Sequence, residues 1–161
     1  MSSYRFGVLV CLAGSVAAGA LLAEENPPSS SHVMVKASDM TWVDGPPSLP
    51  AGAKSAVIEG DPRKEGLFTM RVRIPANYRI PAHWHPADEH VTVISGTFHM
   101  GMGDKLDTSA GRALPAGSFA VMPATSRHFA YTNEETVIQL HGMGPWGINY
   151  VNPADDPRSR K

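Results

Sequence analysis

The chain has 161 residues, a length that indicates a single domain. Hydrophobic residues make up 42% of it, which is enough to form a buried core, and 14 basic against 15 acidic residues leave a formal net charge of -1. This balance argues against nucleic acid or an anionic membrane surface as a partner, because both call for a concentrated basic patch.

The N-terminal residues 1–23 have the order of a secretory signal peptide: a short basic start, an uncharged apolar stretch over 6–22, and small side chains near its end. We expect cleavage near Ala20 or Ala23, which gives an exported protein, periplasmic or secreted, with no stable membrane insertion afterwards. The alternative is an uncleaved anchor, but a span needs roughly 20 predominantly apolar residues, and this stretch is shorter. The one cysteine, Cys11, lies inside it, so the mature chain would have no disulfide and no thiolate ligand.

The remainder divides into a linker, a domain and a tail. Residues 24–32 are polar and rich in Pro and Ser, which is typical of a flexible linker. We predict the folded domain over 33–151 and a polar tail at the surface over 152–161. No 12-residue window of the domain has the apolar spacing of an amphipathic helix, whereas residues 68–74 alternate strictly between apolar and polar side chains.

Short runs of β-forming residues recur between glycine and proline turns along the domain. About ten short strands in one domain of this size predict an all-β sandwich or barrel of the jelly-roll type. The predicted strands are residues 33–36, 40–43, 55–59, 67–74, 89–95, 97–102, 111–114, 118–122, 128–132, 136–141 and 148–151.

A group of metal-binding residue types lies around residue 85. His83 and His85 are two apart, so on a strand both imidazoles project from one face. Glu89 has the same parity at the start of the next strand, and Gly96 closes that strand with a tight turn. Two imidazoles and a carboxylate that converge from neighbouring strands form a mixed nitrogen and oxygen site suited to a divalent first-row ion.

A fourth candidate ligand follows in a second hairpin. Gly117 begins a turn into an apolar strand, Pro123 ends that strand, and His128 starts the next one. In an antiparallel barrel this hairpin can lie opposite the first and direct His128 at the same point.

These two segments resemble the two motifs of the cupin superfamily. The first, His83-x-His85-x3-Glu89-x6-Gly96, is similar to G(x)5HxH(x)3-4E(x)6G, and the second, Gly117-x5-Pro123-x4-His128, is similar to G(x)5PxG(x)2H(x)3N. The resemblance implies a single-domain cupin jelly-roll barrel, also called a double-stranded β-helix. It further implies that His83, His85, Glu89 and His128 are the metal ligands.

The chain departs from the motifs at three turn positions and keeps all four ligand positions. Asn77 stands at the leading glycine of the first motif, Thr125 at a glycine of the second, and Asn133 is one place late. The segment 141–157 also resembles small exported cupins of no assigned activity.

Other polar and sulfur-containing residues have ordinary structural interpretations beside functional ones. His32, His90 and His99 are expected to be surface or core residues rather than ligands. Met100 and Met102 share a face, and their thioethers could hold Cu(I), but a flexible apolar barrel lining is the favoured interpretation.

Two residues of the late strand are candidates for a catalytic role. Gln139 and His141 share a face over residues 136–141. Since this strand can line the pocket in cupins, either could contact a substrate or carry a proton; ordinary barrel packing is the alternative.

The expected cofactor is one divalent transition-metal ion, Mn, Fe, Co, Ni, Cu or Zn. The first functional hypothesis is a small metalloenzyme that acts on a small oxygen-rich compound, a carboxylate or an enol, in a dioxygenase-like or isomerase-like reaction. The second is a non-catalytic periplasmic protein that binds a small molecule or a metal, and the third is a metal that only stabilises the barrel. A homodimer remains open, because no interface can be identified from the sequence.

Overall fold

The structure is a computed structural model that describes residues 32–159, of which residues 33–159 belong to one compact unit. The predicted signal peptide and all but the last residue of the predicted linker therefore lie outside the described residues. Within the part of the chain that is described, no helix is long and apolar enough to cross a membrane.

Eleven strands and three short 3-10 turns make up the described fold. The turns are Ala37–Asp39, Pro153–Asp155 and Pro157–Ser159. The strands in chain order are β1 Val43–Asp44, β2 Lys54–Glu59, β3 Gly66–Ile74, β4 Arg79–Trp84, β5 Glu89–Ser95, β6 Thr97–Met102, β7 Arg112–Pro115, β8 Phe119–Met122, β9 His128–Tyr131, β10 Thr136–Gly144 and β11 Asn149–Tyr150.

The strands form two antiparallel sheets. One has the order β1-β2-β3-β10-β5-β8, and the other has the order β11-β4-β9-β6-β7. Strands distant in sequence, such as β3 and β10 or β4 and β9, are neighbours, and the chain crosses repeatedly between the sheets. This confirms the predicted all-β jelly-roll barrel.

The core lies between the inner faces of the two sheets. In β3, Phe68, Met70, Val72 and Ile74 are buried, while the residues between them are partly exposed. The strict alternation in the sequence thus reflects a strand with one face on the core. Burying such a side chain contributes roughly 1.5–3 kcal/mol relative to leaving it exposed. The core cluster comprises Ala53, Phe68, Met70, Val72, Ile74, Tyr78, Ile80, Val91, Val93, Phe98, Met100, Ala130, Ile138 and Leu140.

Strand prediction was accurate for the central hairpin and wrong at the N-terminal edge. The bounds of β5 and β6 agree with the prediction. No strand forms over 33–36, where Val33, Met34 and Val35 are exposed, because no neighbouring strand pairs with this segment in the described part of the chain. Strand β4 was not among the predicted runs, because Pro81 interrupts its pattern of β-formers.

The two described non-glycine residues with left-handed backbone are Asn77, with a φ of 59°, and Thr125, with a φ of 65°. These are two of the positions at which the cupin motifs have glycine. The turns therefore keep the backbone geometry that glycine adopts readily, although the side chains differ. Asn tolerates this conformation, whereas it is strained for the β-branched Thr125.

Candidate metal centre

A bulge in strand β4 directs His83 into the barrel. Ile80 pairs with Ala130 of β9 and His83 pairs with His128, so three residues of β4 lie opposite two of β9. Because of this extra residue, the side chains of Ile80 and His83 both face the interior. An extra residue in one strand re-aims the side chains that follow it. His85, two residues further on, is again buried.

The other two residues of the predicted site, Glu89 and His128, come from strands of different sheets. Glu89 is the first residue of β5, and His128 is the first residue of β9, where it pairs in register with His83. The backbone N–H of Thr125 donates a 2.8 Å hydrogen bond to the carbonyl of His85, which ties the second motif to the first. The two hairpins therefore meet as predicted.

The three imidazoles and the carboxylate form one buried cluster. The ligand atoms of His83, His85 and His128 lie within 4.8 Å of one another. One oxygen of Glu89 is 3.5 Å from Nε2 of His85, and the other is 3.3 Å from Nε2 of His128. All four side chains are buried, with at most 7% of any residue exposed.

Each histidine uses its Nδ1 for a backbone carbonyl. Nδ1 of His83 is 2.7 Å from the carbonyl of Pro81, and Nδ1 of His128 is 2.9 Å from that of Ser126. Nδ1 of His85 is 2.8 Å from the carbonyl of Gly147. Because a carbonyl only accepts, the hydrogen is on Nδ1, and Nε2 of a neutral ring presents a bare lone pair to the cluster.

Burial keeps two of the rings neutral. Burial, with the neighbouring His128 and His85, lowers the pKa of His83 to about 3. Burial also lowers the pKa of His85, although Glu89 opposes this. For Glu89 burial alone would raise the pKa, but His85 and His128 outweigh it, and the pKa lies below the usual value.

The charge of the cluster fits a cation. The Glu89 carboxylate faces Nε2 of His85 and of His128, which have no hydrogen-bond partner in the described structure and present lone pairs when the rings are neutral. Buried acceptors that face one another are costly unless a donor or a cation lies between them. The three buried histidines could hold a metal ion, and their Nδ1 hydrogen bonds orient the rings as in known metal sites.

The sequence profile of the ChrR cupin-like domain matches residues 30–147. The chain belongs to this cupin family. No curated protein matches the chain.

Several solved structures share the fold of this cupin at low sequence identity. The polyketide cyclase RemF from Streptomyces resistomycificus has a TM-score of 0.64 and 14% identity, over 79% of this chain and 90% of that chain. An acetylacetone dioxygenase from Acinetobacter johnsonii has a TM-score of 0.61 and 15% identity, over 83% and 86%. An RmlC-like cupin from Shewanella frigidimarina has a TM-score of 0.55 and 16% identity, over 71% and 91%.

The cavity at the cluster is small and mostly apolar. Its volume is about 40 Å³. Because one water needs about 10–15 Å³ of such volume, the cavity has room for an ion with a few small ligands. Apart from the four cluster residues and Trp146, the lining is apolar: Pro46, Leu49, Met70, Val72, Ile74, Ile80, Phe98, Met100, Ala130, Ile138, Leu140 and Ile148.

Trp146 is a residue of this site that the sequence did not indicate. Its ring stacks on His85 at 4.4 Å between centroids and 14° between planes, and the next residue, Gly147, accepts the Nδ1 hydrogen of His85. Its indole Nε1 is buried without a partner in the described structure. The segment lies in a loop after β10, and only the tertiary fold brings it to the cluster.

Gln139 and His141 do not reach the cluster of three histidines and Glu89. This placement does not support the predicted role of either residue in contacting a substrate or carrying a proton at that site. Ile138 and Leu140 line the cavity, so the alternation of β10 places Gln139 and His141 on the opposite face of the sheet. Arg71 donates a 3.2 Å hydrogen bond to Gln139, and Nδ1 of His141 is 3.1 Å from the Thr69 hydroxyl. Both residues bridge β10 and β3 on the outer surface.

His90 and His99 also lie away from the cluster. The His90 ring neighbours His141 on the outer face, 6.1 Å between centroids, and the His99 ring stacks on Tyr131 at 4.5 Å. Met100 is buried and lines the cavity, whereas Met102 is 60% exposed.

Proposed function

We propose that this cupin binds one divalent transition-metal ion through His83, His85, Glu89 and His128, and that it acts as a small metalloenzyme on a small oxygen-rich compound, a carboxylate or an enol. The observation that carries the proposal is the convergence of Nε2 of His85 and Nε2 of His128, neither with a hydrogen-bond partner in the described structure, on the Glu89 carboxylate. A cation among these atoms would turn an unfavourable contact into coordination.

The two distances between Glu89 and the histidines fit one ion. Two ligand atoms that each lie about 2.0–2.2 Å from the same metal are about 3–3.5 Å apart. The separations of 3.5 Å and 3.3 Å between Glu89 and the two histidines agree with this. Three imidazoles and one carboxylate suit Mn, Fe, Co, Ni, Cu or Zn, and availability where the protein takes up its metal selects among them.

Four protein ligands leave one or two positions open on an ion that prefers five or six. A metal bound there would polarise a carbonyl or hydroxyl oxygen, or support oxygen chemistry if it is redox-active. The protein's own contribution is to fix three ring orientations through backbone carbonyls and to surround the site with apolar side chains that limit the entry of water.

The names of two structural neighbours support the substrate class by analogy. A polyketide cyclase and an acetylacetone dioxygenase share this fold, and both names refer to oxygen-rich carbonyl compounds. Because one fold hosts many functions, the analogy supports a dioxygenase-like or isomerase-like reaction only as a hypothesis.

A non-catalytic protein that binds a small molecule or a metal is the second candidate. The lining of the cavity favours this candidate. Among the described residues that line it, only the four proposed ligands and Trp146 have polar side chains. An enzyme that moves protons needs a further acid or base within reach, and Gln139 and His141 lie on the other face.

Turnover by the metal-loaded protein separates these candidates. Apoprotein is loaded with Fe(II), Mn(II), Ni(II) or Zn(II) in parallel and given acetylacetone as an enolisable probe, while oxygen uptake and products are followed. We expect turnover with a redox-active metal and its loss in His128→Ala, with His141→Ala as the matched control. Metal binding without conversion of any enolisable compound tested would favour the binding protein.

We further propose that the protein is exported, that a small molecule is its partner, and that nucleic acid is not. The apolar stretch at 6–22 supports export. Mass spectrometry of the protein from the exported fraction should show a new N-terminus near Ala20 or Ala23. An intact Met1 in that fraction would contradict cleavage. A homodimer remains open and is tested by light scattering.

A further inference from the structure

A groove lies beside the metal cavity, between β6 and β7 of one sheet and β8 of the other. Its volume is about 790 Å³, which is within the range of roughly 300–1,000 Å³ typical of small-molecule sites. The cavity at the metal ligands, about 40 Å³, cannot take an organic molecule of more than a few atoms. A substrate that reaches the metal must therefore extend into other space.

Met100 belongs to the walls of both spaces. It is 6% exposed, and it lines the metal cavity on one side and the groove on the other. Its side chain has three rotatable bonds and a polarisable sulfur, so it can change rotamer at low cost. Met100 is therefore a wall that the two spaces share, and a change of its rotamer would alter the boundary between them.

The strand register places the groove next to two of the proposed ligands. Met122 of β8 pairs with Glu89, and Met102 of β6 pairs with His128. Directly paired residues of an antiparallel ladder project to the same face, with Cβ atoms about 4.5–5.5 Å apart. The groove side chains Met122 and Met102 are thus the cross-strand neighbours of Glu89 and His128.

The lining of the groove selects a class of ligand. Met102 is 60% exposed beside the groove, and Phe119 and Val121 of the edge strand β8 also line it, with the Phe119 ring in contact with the His90 ring. Arg112 is the charged residue of the lining, and no carboxylate of residues 32–159 forms an ion pair with it. Apolar walls with one free cation beside a metal site fit an organic anion with an apolar body.

We propose that this groove binds the apolar body of a small organic anion whose oxygen end reaches the metal past Met100. The proposal rests on the proposed function, because the metal supplies the second point of attachment. It adds to it the location of the substrate body and the preference for an apolar substituent on the acid or enol.

The test compares two acids with the same metal-binding end. Pyruvate and phenylpyruvate share the α-keto acid group, and only phenylpyruvate carries a ring for the groove. Binding to Zn-loaded protein is measured by calorimetry. We expect phenylpyruvate to bind at least about tenfold more tightly, in keeping with burial of part of an aromatic ring.

Two double variants of matched exposure locate the ring. Met102→Gln/Phe119→Gln alters the groove, whereas Val57→Gln/Met143→Gln alters residues that are 54% and 55% exposed outside it. The groove variant should reduce the preference for phenylpyruvate to about threefold or less, and the control should keep it within a factor of two. Arg112→Gln should weaken phenylpyruvate binding about threefold at low salt and less at high salt, because screening weakens exposed charges.

Several results would overturn the proposal. The first is equal affinity of the unaltered protein for the two acids, and the second is an equal effect of the two double variants. The third is a dimer that forms without ligand in the unaltered protein and in the control variant but not in the groove variant, which would make the groove a self-association surface. Zinc content is measured in every sample. Failure of the proposed function has a separate signature, since a protein that holds no zinc and binds neither acid lacks the metal site itself.

Discussion

Backbone carbonyls determine which ring nitrogens face the metal site. The carbonyls of Pro81, Gly147 and Ser126 each take the Nδ1 hydrogen of one histidine, so the Nε2 atoms converge. Strand parity and motif spacing predicted the cluster residues His83, His85, Glu89 and His128, whereas the sequence could not show which atoms orient them. Gly147 and Trp146 lie in a loop more than 60 residues from His85, and no local pattern connects such distant residues.

The left-handed backbone conformation of Thr125 leads to a prediction about stability. Its φ of 65° costs a non-glycine residue roughly 1–2 kcal/mol, while glycine adds roughly 0.5–1 kcal/mol of unfolded-chain entropy. Thr125→Gly should therefore raise the free energy of unfolding by about 0.5–1 kcal/mol in urea titrations. Asn77→Gly, at a φ of 59°, should instead lower it by up to about 1 kcal/mol, because Asn tolerates this conformation and only the entropy cost of glycine remains. A Thr125→Gly protein less stable than the parent would contradict the interpretation.

At the scale of elements, strand alternation decides which residues face the histidine cluster. The bulge in β4 brings His83 inward, and the regular β10 keeps Gln139 and His141 outward. The sequence showed that these two residues share a face, but not which face. That depends on the pairing of β10 with β3 and β5, which places Ile138 and Leu140 against the core. Long-range pairing of this kind leaves no local signal in the residues of one strand.

This placement of β10 predicts a mild phenotype for His141→Ala. Metal content should stay at the level of the unaltered protein, and the free energy of unfolding should fall by about 0.5–1.5 kcal/mol, the net contribution of one hydrogen bond, here that to Thr69. Elemental analysis and urea unfolding provide the two measurements. A substantial loss of metal in His141→Ala would show that β10 presents the other face to the cluster.

At the scale of the whole molecule, we expect the apolar core and a bound metal to contribute to stability separately. The core cluster of apolar side chains lies between the two sheets. Metal bound only to the folded state adds stability by mass action, about 4 kcal/mol at a thousandfold excess over Kd. Chelation should therefore lower the thermal midpoint by roughly 10 °C or more and leave the protein folded at 25 °C by circular dichroism. A chelated protein that is unfolded at 25 °C would show that the metal mainly stabilises the barrel.

The apoprotein should lose stability as the pH falls. Above pH 6.5 the His83 side chain is neutral in the folded and in the unfolded protein. Between pH 6.5 and about 3 it binds a proton in the unfolded chain but not in the folded chain, because its pKa is lowered to about 3 on folding. The unfolded state then binds more protons, so the free energy of unfolding falls as the pH falls through this range. The lowered pKa of Glu89 acts in the same direction, because its contribution is lost as the carboxylate protonates. Thermal midpoints from pH 7 to 4 should fall, and less steeply in His83→Gln; a midpoint independent of pH would contradict this.

The metal content of the protein from its native compartment tests the central claim most directly. Elemental analysis should give about one transition-metal ion per chain. The ion should be absent from His83→Ala/His128→Ala, which removes two of the four proposed ligands. Circular dichroism should show that this double variant is still folded. Full metal occupancy in that folded double variant would contradict the assignment of His83, His85, Glu89 and His128 as the metal centre.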